Sequence, residues 1–225
     1  MKAPRFFVIS AIAGLVAQAP IQASLIFVYD FPGNSGLASD QTNPQPANAI
    51  FGDFTRNNVG ATPGAPANTF GSNTWSLSAS MDPTVYEGFS ITAAGGYHLN
   101  LSSLSFSAYR SSTGPANVEV GLFLNGSTTA YATFDFSPVV ATNTPYTFNF
   151  GPLTDADNVT TATFKFFGWN ATSGIGGQFY VSNVGTNGSI SSLPESSSLA
   201  PILLLLGCAL ATRRSPGLLR SVGKR

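Results

Sequence analysis

The chain has 225 residues, of which 9% are charged and 43% are hydrophobic. An ordinary globular domain carries about 25% charged residues, so Ser, Thr, Asn and Gly supply most of the polarity here, and this composition favours half-buried strands over helices. Between Ser24 and Pro194, three basic residues stand against nine acidic ones, a net charge of −6 that argues against nucleic-acid binding. The single cysteine, Cys208, lies near the C-terminus, which excludes disulfides and cysteine chemistry from the middle of the chain.

The first 23 residues have the pattern of a secretory signal peptide. Lys2 and Arg5 are followed by an apolar stretch over residues 6–17 and then by small residues. The apolar stretch is shorter than the roughly 20 residues that a membrane-spanning helix needs. The pattern therefore predicts a signal helix, export through the Sec machinery and cleavage between Ala23 and Ser24. The alternative is an uncleaved membrane anchor.

The middle of the chain, residues 24–190, is predicted to be a β-sandwich ectodomain. Residues 34–73 are rich in Asn, Pro and Gly and read as loops, with one short strand near residues 50–54. Elsewhere apolar and polar residues alternate over short segments separated by Gly and Asn turns, of which Asn125-Gly126 is the clearest hairpin signal. The predicted fold is an all-β, jelly-roll-like β-sandwich of about eight or nine strands. The predicted strands are 25–31, 75–80, 86–92, 97–109, 117–125, 130–136, 146–150, 161–167 and 178–184.

Residues 191–225 read as a sorting tail. A hydrophobic helix is predicted over residues 199–212, followed at once by Arg213 and Arg214. Because positive charge stays on the cytoplasmic side during export, the preceding domain is expected outside the membrane. The apolar run is shorter than a comfortable span, which favours a transient signal over a permanent anchor. A marginal tail anchor remains the alternative.

This tail resembles a known bacterial sorting signal. Pro194-Glu195-Ser196, the apolar run and Arg213-Arg214 are similar to the PEP-CTERM tail of Gram-negative, biofilm-forming bacteria, although that family has proline where Ser196 stands. The resemblance implies processing by exosortase, a membrane cysteine protease-transpeptidase. It also implies transient anchoring in the inner membrane and delivery to the cell envelope, the cell surface or the extracellular matrix. Whether the tail is cleaved or retained stays open.

The domain itself resembles uncharacterised sandwich domains that are common in such sorted proteins. The resemblance covers about Trp75 to Ile190 and rests on runs such as 101–106, 166–171 and 181–184, although Ser182 replaces an aspartate of the usual pattern. Those relatives resemble carbohydrate-binding sandwiches in shape, but shape alone does not confer function.

Two catalytic interpretations are weighed against ordinary surface chemistry. A Ser-His-Asp triad would need His98, the only histidine, which follows the Gly95-Gly96 turn where a solvated histidine is common. Paired carboxylates of a glycosidase could come from the acidic residues of the strands, but such residues are usually solvated. We therefore expect the protein not to be an enzyme. The acidic candidates are Asp82, Glu87, Glu119 and Asp135.

Asp155 and Asp157 are weak candidates for a calcium site. The segment begins like an EF-hand loop, but Thr160 and Phe166 occupy the positions that need glycine and glutamate. A calcium site between loops and a plain polar turn both remain open. No other metal and no cofactor is expected.

Exposed aromatic rings could bind sugar, because the face of a pyranose ring is apolar. Trp75, Trp169 and Tyr97 are the candidates for such a platform, with Tyr86 and Tyr131 as further members; core packing is the alternative. The sequence therefore favours a non-enzymatic structural or matrix protein that contacts exopolysaccharide. A secreted glycan hydrolase or lyase and a calcium-stabilised adhesion module are the alternatives.

Overall fold

The computed structural model describes residues 24–32, 46–62 and 65–193. The predicted signal helix and the predicted sorting tail from residue 194 onward lie outside these ranges, together with Ala23, Pro194, Glu195, Ser196, Arg213 and Arg214, whereas β12 extends through the first two residues of the predicted tail. Ser24 is the first residue of the first strand. Within the described ranges, no helix has the length and apolar character needed to cross a membrane.

Twelve strands form two six-stranded antiparallel sheets in the part of the chain that the structure describes. Sheet I has the order β10-β7-β12-β5-β4, with β1 also paired to β12; sheet II has the order β2-β6-β11-β8-β9, with β3 also paired to β6. The strands are β1 (Ser24–Tyr29), β2 (Ala49–Phe51), β3 (Thr55–Asn57), β4 (Gly60–Ala61), β5 (Phe70–Asn73), β6 (Tyr86–Ala93), β7 (Tyr97–Arg110), β8 (Asn117–Leu124), β9 (Ala132–Phe136), β10 (Thr144–Asn149), β11 (Thr161–Trp169) and β12 (Phe179–Ser192).

The connections from β6 onward mostly pass between the sheets. β6 continues into β7, β7 into β8, β9 into β10, β10 into β11 and β11 into β12, each time changing sheet, whereas β8 and β9 are neighbours within sheet II. The predicted hairpin at Asn125-Gly126 is confirmed, since it joins β8 to β9 and both residues have the positive φ that such turns need. The expected all-β sandwich of two antiparallel sheets is confirmed.

The core between the sheets is largely aromatic. Side chains alternate along each strand, so Val118, Val120 and Leu122 all face inward and are fully buried, as their spacing predicts. Rings from the two sheets meet edge to face where Phe106 and Phe166 lie 5.1 Å apart between centroids. Burial of these apolar side chains supplies the main stabilising force in the absence of disulfides.

Two local predictions are wrong, and the count of eight or nine strands is too low. Residues 75–80 form no strand, because the hydroxyl of Ser76 accepts from the Ser78 amide at 3.3 Å and that of Ser78 accepts from the Ser80 amide at 3.1 Å. Such local bonds compete with a ladder. The pair Asn187-Gly188, whose sequence also predicts a turn, is instead a shift of register inside β12. The additional strands include β3, β4 and β5, which are two to four residues long and lie in the segment expected to be loops, whereas β2 overlaps the short strand predicted near residues 50–54.

Candidate functional site

The outer face of sheet II brings together side chains from five strands in two rows. In the first row, Thr55, Gly88, Lys165, Gly121 and Thr133 are consecutive cross-strand partners. In the second row, the partners are Asn57, Tyr86, Phe167, Glu119 and Asp135. Because neighbouring strands lie about 4.8 Å apart, each row crosses the sheet over a length of roughly 19 Å.

The first row forms a shallow channel, which we call the glycine trough. Glycines stand on both sides of Lys165; the Phe123 ring covers the position of Gly121, whereas Gly88 borders open space. An open cavity of about 270 Å³ occupies the trough on the side of β6. Its lining includes Thr55, Tyr86, Gly88, Ser90, Thr163 and Lys165.

Aromatic rings hold Lys165 in the trough. Its Nζ lies 4.5 Å from the centroid of the Tyr86 ring and 4.8 Å from that of the Phe123 ring. Phe167 is only 3% exposed and supports both rings, with centroids 5.6 Å from Tyr86 and 6.3 Å from Phe123. A cation over aromatic faces is attracted by their quadrupoles, so the ammonium group has a fixed place between two rings.

A second open depression lies at the end of β11, and we call it the Trp169 depression. It has a volume of about 440 Å³ and is lined by Asn117, Val118, Asp135, Phe136, Ser137 and Trp169. Trp169 is half-buried and is the cross-strand partner of Asn117. An aromatic ring therefore stands beside an amide and a carboxylate at an accessible surface.

Glu119 is the cross-strand partner of Asp135, which lines this depression. Partial burial raises the pKa of Glu119, and the charge of Asp135 and the hydrogen bond between the two side chains raise it further. The two residues stand directly opposite each other on neighbouring strands, where Cβ atoms lie roughly 4.5 to 5.5 Å apart.

Glu87 faces the opposite way, into the core. It is fully buried, and the hydroxyl of Ser72 donates to its Oε2, while Oε1 has no hydrogen-bond partner among the described residues. Burial raises the pKa of Glu87 to about 8, against the lowering effects of the Ser72 bond and the nearby Arg56. Because the carboxyl is sealed from solvent, Glu87 is not available to a sugar substrate.

The three predicted platform residues do not lie together. Trp75 is 2% exposed, its Nε1 donates to the Ser72 carbonyl at 3.1 Å, and its ring packs edge to face on Phe179, so it belongs to the core and cannot contact a ligand. Tyr97 starts β7 in sheet I. Because the Leu99 amide donates to the Val159 carbonyl, Tyr97 lies near the beginning of β11, whereas Trp169 ends that strand.

The structure also places the remaining candidates, the histidine proposed for a triad and the two aspartates proposed for a calcium site. His98 is 2% exposed within β7 and therefore is not the solvated histidine that the turn suggests. The carboxylate of Asp157 accepts from the amide and the hydroxyl of Thr154, and these bonds lower its pKa. The Asp155 side chain lies outside what the structure describes. Among the described residues there is no cluster of three His, Cys, Asp or Glu side chains suited to a metal ion.

Sequence reasoning missed the trough and its rings. The outward residues of β11 alternate as Thr163, Lys165, Phe167 and Trp169, and this alternation is visible in the sequence once Phe164 and Phe166 are assigned to the core. The pairing of Lys165 with two glycines is not visible there, because Gly88 and Gly121 come from strands that are distant in the chain.

Comparisons with known proteins give only distant likenesses. No protein-family model matches the sequence, and no curated protein matches it significantly. A solved structure from work on CBM4 structure and function is 15% identical over 70% of this chain and 100% of its own, with a TM-score of 0.42.

Two further solved structures are similar to a lower degree. The second N-terminal cellulose-binding domain of Cellulomonas fimi β-1,4-glucanase C is 14% identical over 70% of this chain and 99% of its own, with a TM-score of 0.37. An arabinose-bound GH51 α-L-arabinofuranosidase is 15% identical over 72% of this chain but only 26% of its own, with a TM-score of 0.38. At these values the likenesses assign neither a family nor a function.

Proposed function

We propose that this is an exported, surface-sorted and non-enzymatic matrix protein that binds polysaccharide through the outer face of sheet II. The observation that carries the proposal is the Trp169 depression, an aromatic ring beside an open cavity, on the same face as the glycine trough. The repeated crossings between sheets support a jelly-roll-like topology for this scaffold.

The chemistry of the face suits a sugar chain. The half-buried ring of Trp169 offers an apolar surface against which the apolar face of a pyranose can pack. Asn117 and Asp135 stand in the same depression and can exchange hydrogen bonds with sugar hydroxyls. An accessible cavity with one aromatic wall and a few polar groups is the usual form of a small-ligand site.

The export and sorting steps rest on the sequence alone. The signal pattern of residues 1–23 and the PEP-CTERM resemblance of residues 194–214 support Sec export, processing by exosortase and final placement at the surface or in the matrix. Expression of the full chain in a host that has exosortase would give a mature product whose mass shows which ends are lost. A product that keeps Arg213 and Arg214 in the inner membrane would contradict the sorting step.

A glycan hydrolase is the second candidate, and one observation favours it. Asp135 lines the Trp169 depression, and Glu119 is its cross-strand partner, so two carboxyl groups lie on the face where a bound sugar would lie. Incubation of the wild-type chain with a panel of glycans tests this candidate, and turnover that is lost in Glu119→Gln would replace the binding proposal with the enzymatic one.

The binding proposal is tested by replacing Trp169. We expect Trp169→Ala to weaken binding to a retained polysaccharide by about tenfold or more, as the loss of a central aromatic contact does elsewhere. Affinity electrophoresis in gels containing each polysaccharide measures the effect. Tyr131→Ala is the matched control, because Tyr131 is 52% exposed but lies in the β8–β9 connection, away from the depression. Equal retardation of the wild type and Trp169→Ala in every gel would contradict the proposal.

A further inference from the structure

Lys165 differs from the other two basic residues of the described part. Arg110 donates to backbone carbonyls, including those of Pro138 at 3.1 Å and Ser112 at 3.2 Å, and so fixes two loops. Arg56 donates to the Ser72 hydroxyl at 3.0 Å and to the Gly71 carbonyl at 2.6 Å. The contacts of Lys165 are instead the faces of two aromatic rings, which leave its three N–H donors without an oxygen acceptor among the described residues.

The local packing keeps this ammonium group accessible from the trough. A Cβ added at Gly121 would lie 2.8 Å from Cε2 of Phe123, and one added at Gly88 would lie 2.1 Å from the Phe164 carbonyl oxygen. Side chains are therefore excluded at both positions beside Lys165. The amine lies between the rings of Tyr86 and Phe123, and Lys165 lines the open cavity together with Gly88, so a ligand in that cavity can reach the ammonium group.

The carboxyl groups of the neighbouring row do not neutralise Lys165. No carboxylate of the described residues forms an ion pair with Lys165. A cation held by rings and lacking an anionic partner is complementary to an anion that arrives with the ligand.

We infer that the glycine trough takes a polysaccharide that carries an isolated carboxylate, a uronic acid flanked by neutral sugars, with the carboxylate bound at Lys165 between Tyr86 and Phe123. This inference rests on the proposed function and specifies the ligand of the same face. The neutral sugars on one side extend toward Trp169, four residues along β11 and therefore about 13 Å away.

Acidic residues on the same face limit the density of negative charge that a bound ligand can carry. Glu119 and Asp135 stand in the row next to Lys165, and Asp53 borders the trough. A polymer with a carboxylate on every sugar would bring several charges against these side chains, which costs binding free energy. A polymer with one uronate in each repeat places a single charge at Lys165 and neutral hydroxyls elsewhere.

The test uses the full-length wild-type chain and two polymers with the same backbone. Gellan, in which one sugar of each repeat is a glucuronate, is compared with carboxyl-reduced gellan, in which that glucuronate has become glucose. We expect the reduction to weaken binding by about tenfold, because a charge-assisted hydrogen bond is lost, and added salt to narrow the difference. Polygalacturonate, charged at every sugar, is expected to bind more weakly than gellan.

Variants of Lys165 test whether this side chain causes the preference for gellan over carboxyl-reduced gellan. Lys165→Gln is expected to bind gellan and reduced gellan equally, Lys165→Arg to restore the preference, and Tyr97→Ala to behave as the wild type. Equal binding of both polymers by the wild type, lost in Trp169→Ala, would overturn this inference and leave the proposed function intact. Failure of every polysaccharide to bind would overturn both. The comparison of polymers on the wild type decides the question even if a Lys165 variant does not fold.

Discussion

The outer faces of the two sheets share one architecture but carry different chemistry. On sheet I the outward residues of β7 include Ser103, Ser105 and Ser107, and short polar side chains satisfy one another: Asn187 donates to the Ser103 hydroxyl at 3.1 Å, and Asn143 donates to the Ser182 hydroxyl at 3.2 Å. On sheet II the outward residues include large rings, a lysine and a carboxyl pair. The backbone ladders are alike, so the difference lies in which side chains the strands present.

The comparison indicates which face is available for binding. On sheet I, short hydroxyl and amide groups form hydrogen bonds with each other, and the rings of Tyr109 and Tyr180 stack on each other. On sheet II, Trp169 presents an aromatic ring and Lys165 an ammonium group without an anionic partner among the described residues. Such groups gain more from a ligand than groups that already have partners.

The largest expected effect separates the two tryptophans. Because Trp75 is buried between the sheets, Trp75→Ala should lower the free energy of unfolding by about 3 to 5 kcal/mol, as the loss of a large core aromatic does. Trp169→Ala should change stability much less while it weakens glycan binding. Urea unfolding and affinity electrophoresis measure the two effects. A stable Trp75→Ala that no longer binds glycan would reverse the assignment of Trp75 to the core.

The next effect separates the inward and outward acidic residues of sheet II. Glu87 is inward, and burial raises its folded-state pKa from 4.5 to about 8. Below about pH 4.5 both folded and unfolded chains keep the proton. As the pH rises toward 8, the unfolded chain loses the proton while the folded chain retains it, so this contribution to stability is lost progressively over that window.

Glu87→Gln removes this titration. We expect its stability to fall less than that of the wild type between pH 5 and 8, with a difference on the order of 1–3 kcal/mol, typical of a buried polar group with incomplete hydrogen bonding. Urea unfolding at several pH values gives the two curves. Glu119→Gln is the control for an outward carboxyl, since burial there is only partial. Parallel curves for wild type and Glu87→Gln would show that Glu87 does not titrate in the fold.

The sequence predicts the layers of the sandwich better than its site. Alternation identifies strands such as β8 because Val118, Val120 and Leu122 share a buried face, and this information is local. The sequence does not show that Trp75 belongs to the core and not to an exposed platform, because an aromatic residue in a charge-poor chain fits the core and the surface equally well. The trough cannot be predicted, because its row joins Gly88, Lys165 and Gly121 through the register of strands that are far apart in the chain.

The smallest expected effect belongs to sheet I. Asn187→Ala removes the hydrogen bond that the Asn187 side chain of β12 donates to the Ser103 hydroxyl of β7. Cross-strand polar pairs of this kind contribute about 0.2–1 kcal/mol to the free energy of unfolding. A cycle with Ser103→Ala and the double variant isolates the pair from other effects of each substitution. Glycan binding should stay at the wild-type level in all three variants, because neither residue lies on sheet II. A loss of glycan binding in Asn187→Ala without a loss of stability would assign the binding surface to sheet I. It would contradict the difference in binding that we expect between the two outer faces.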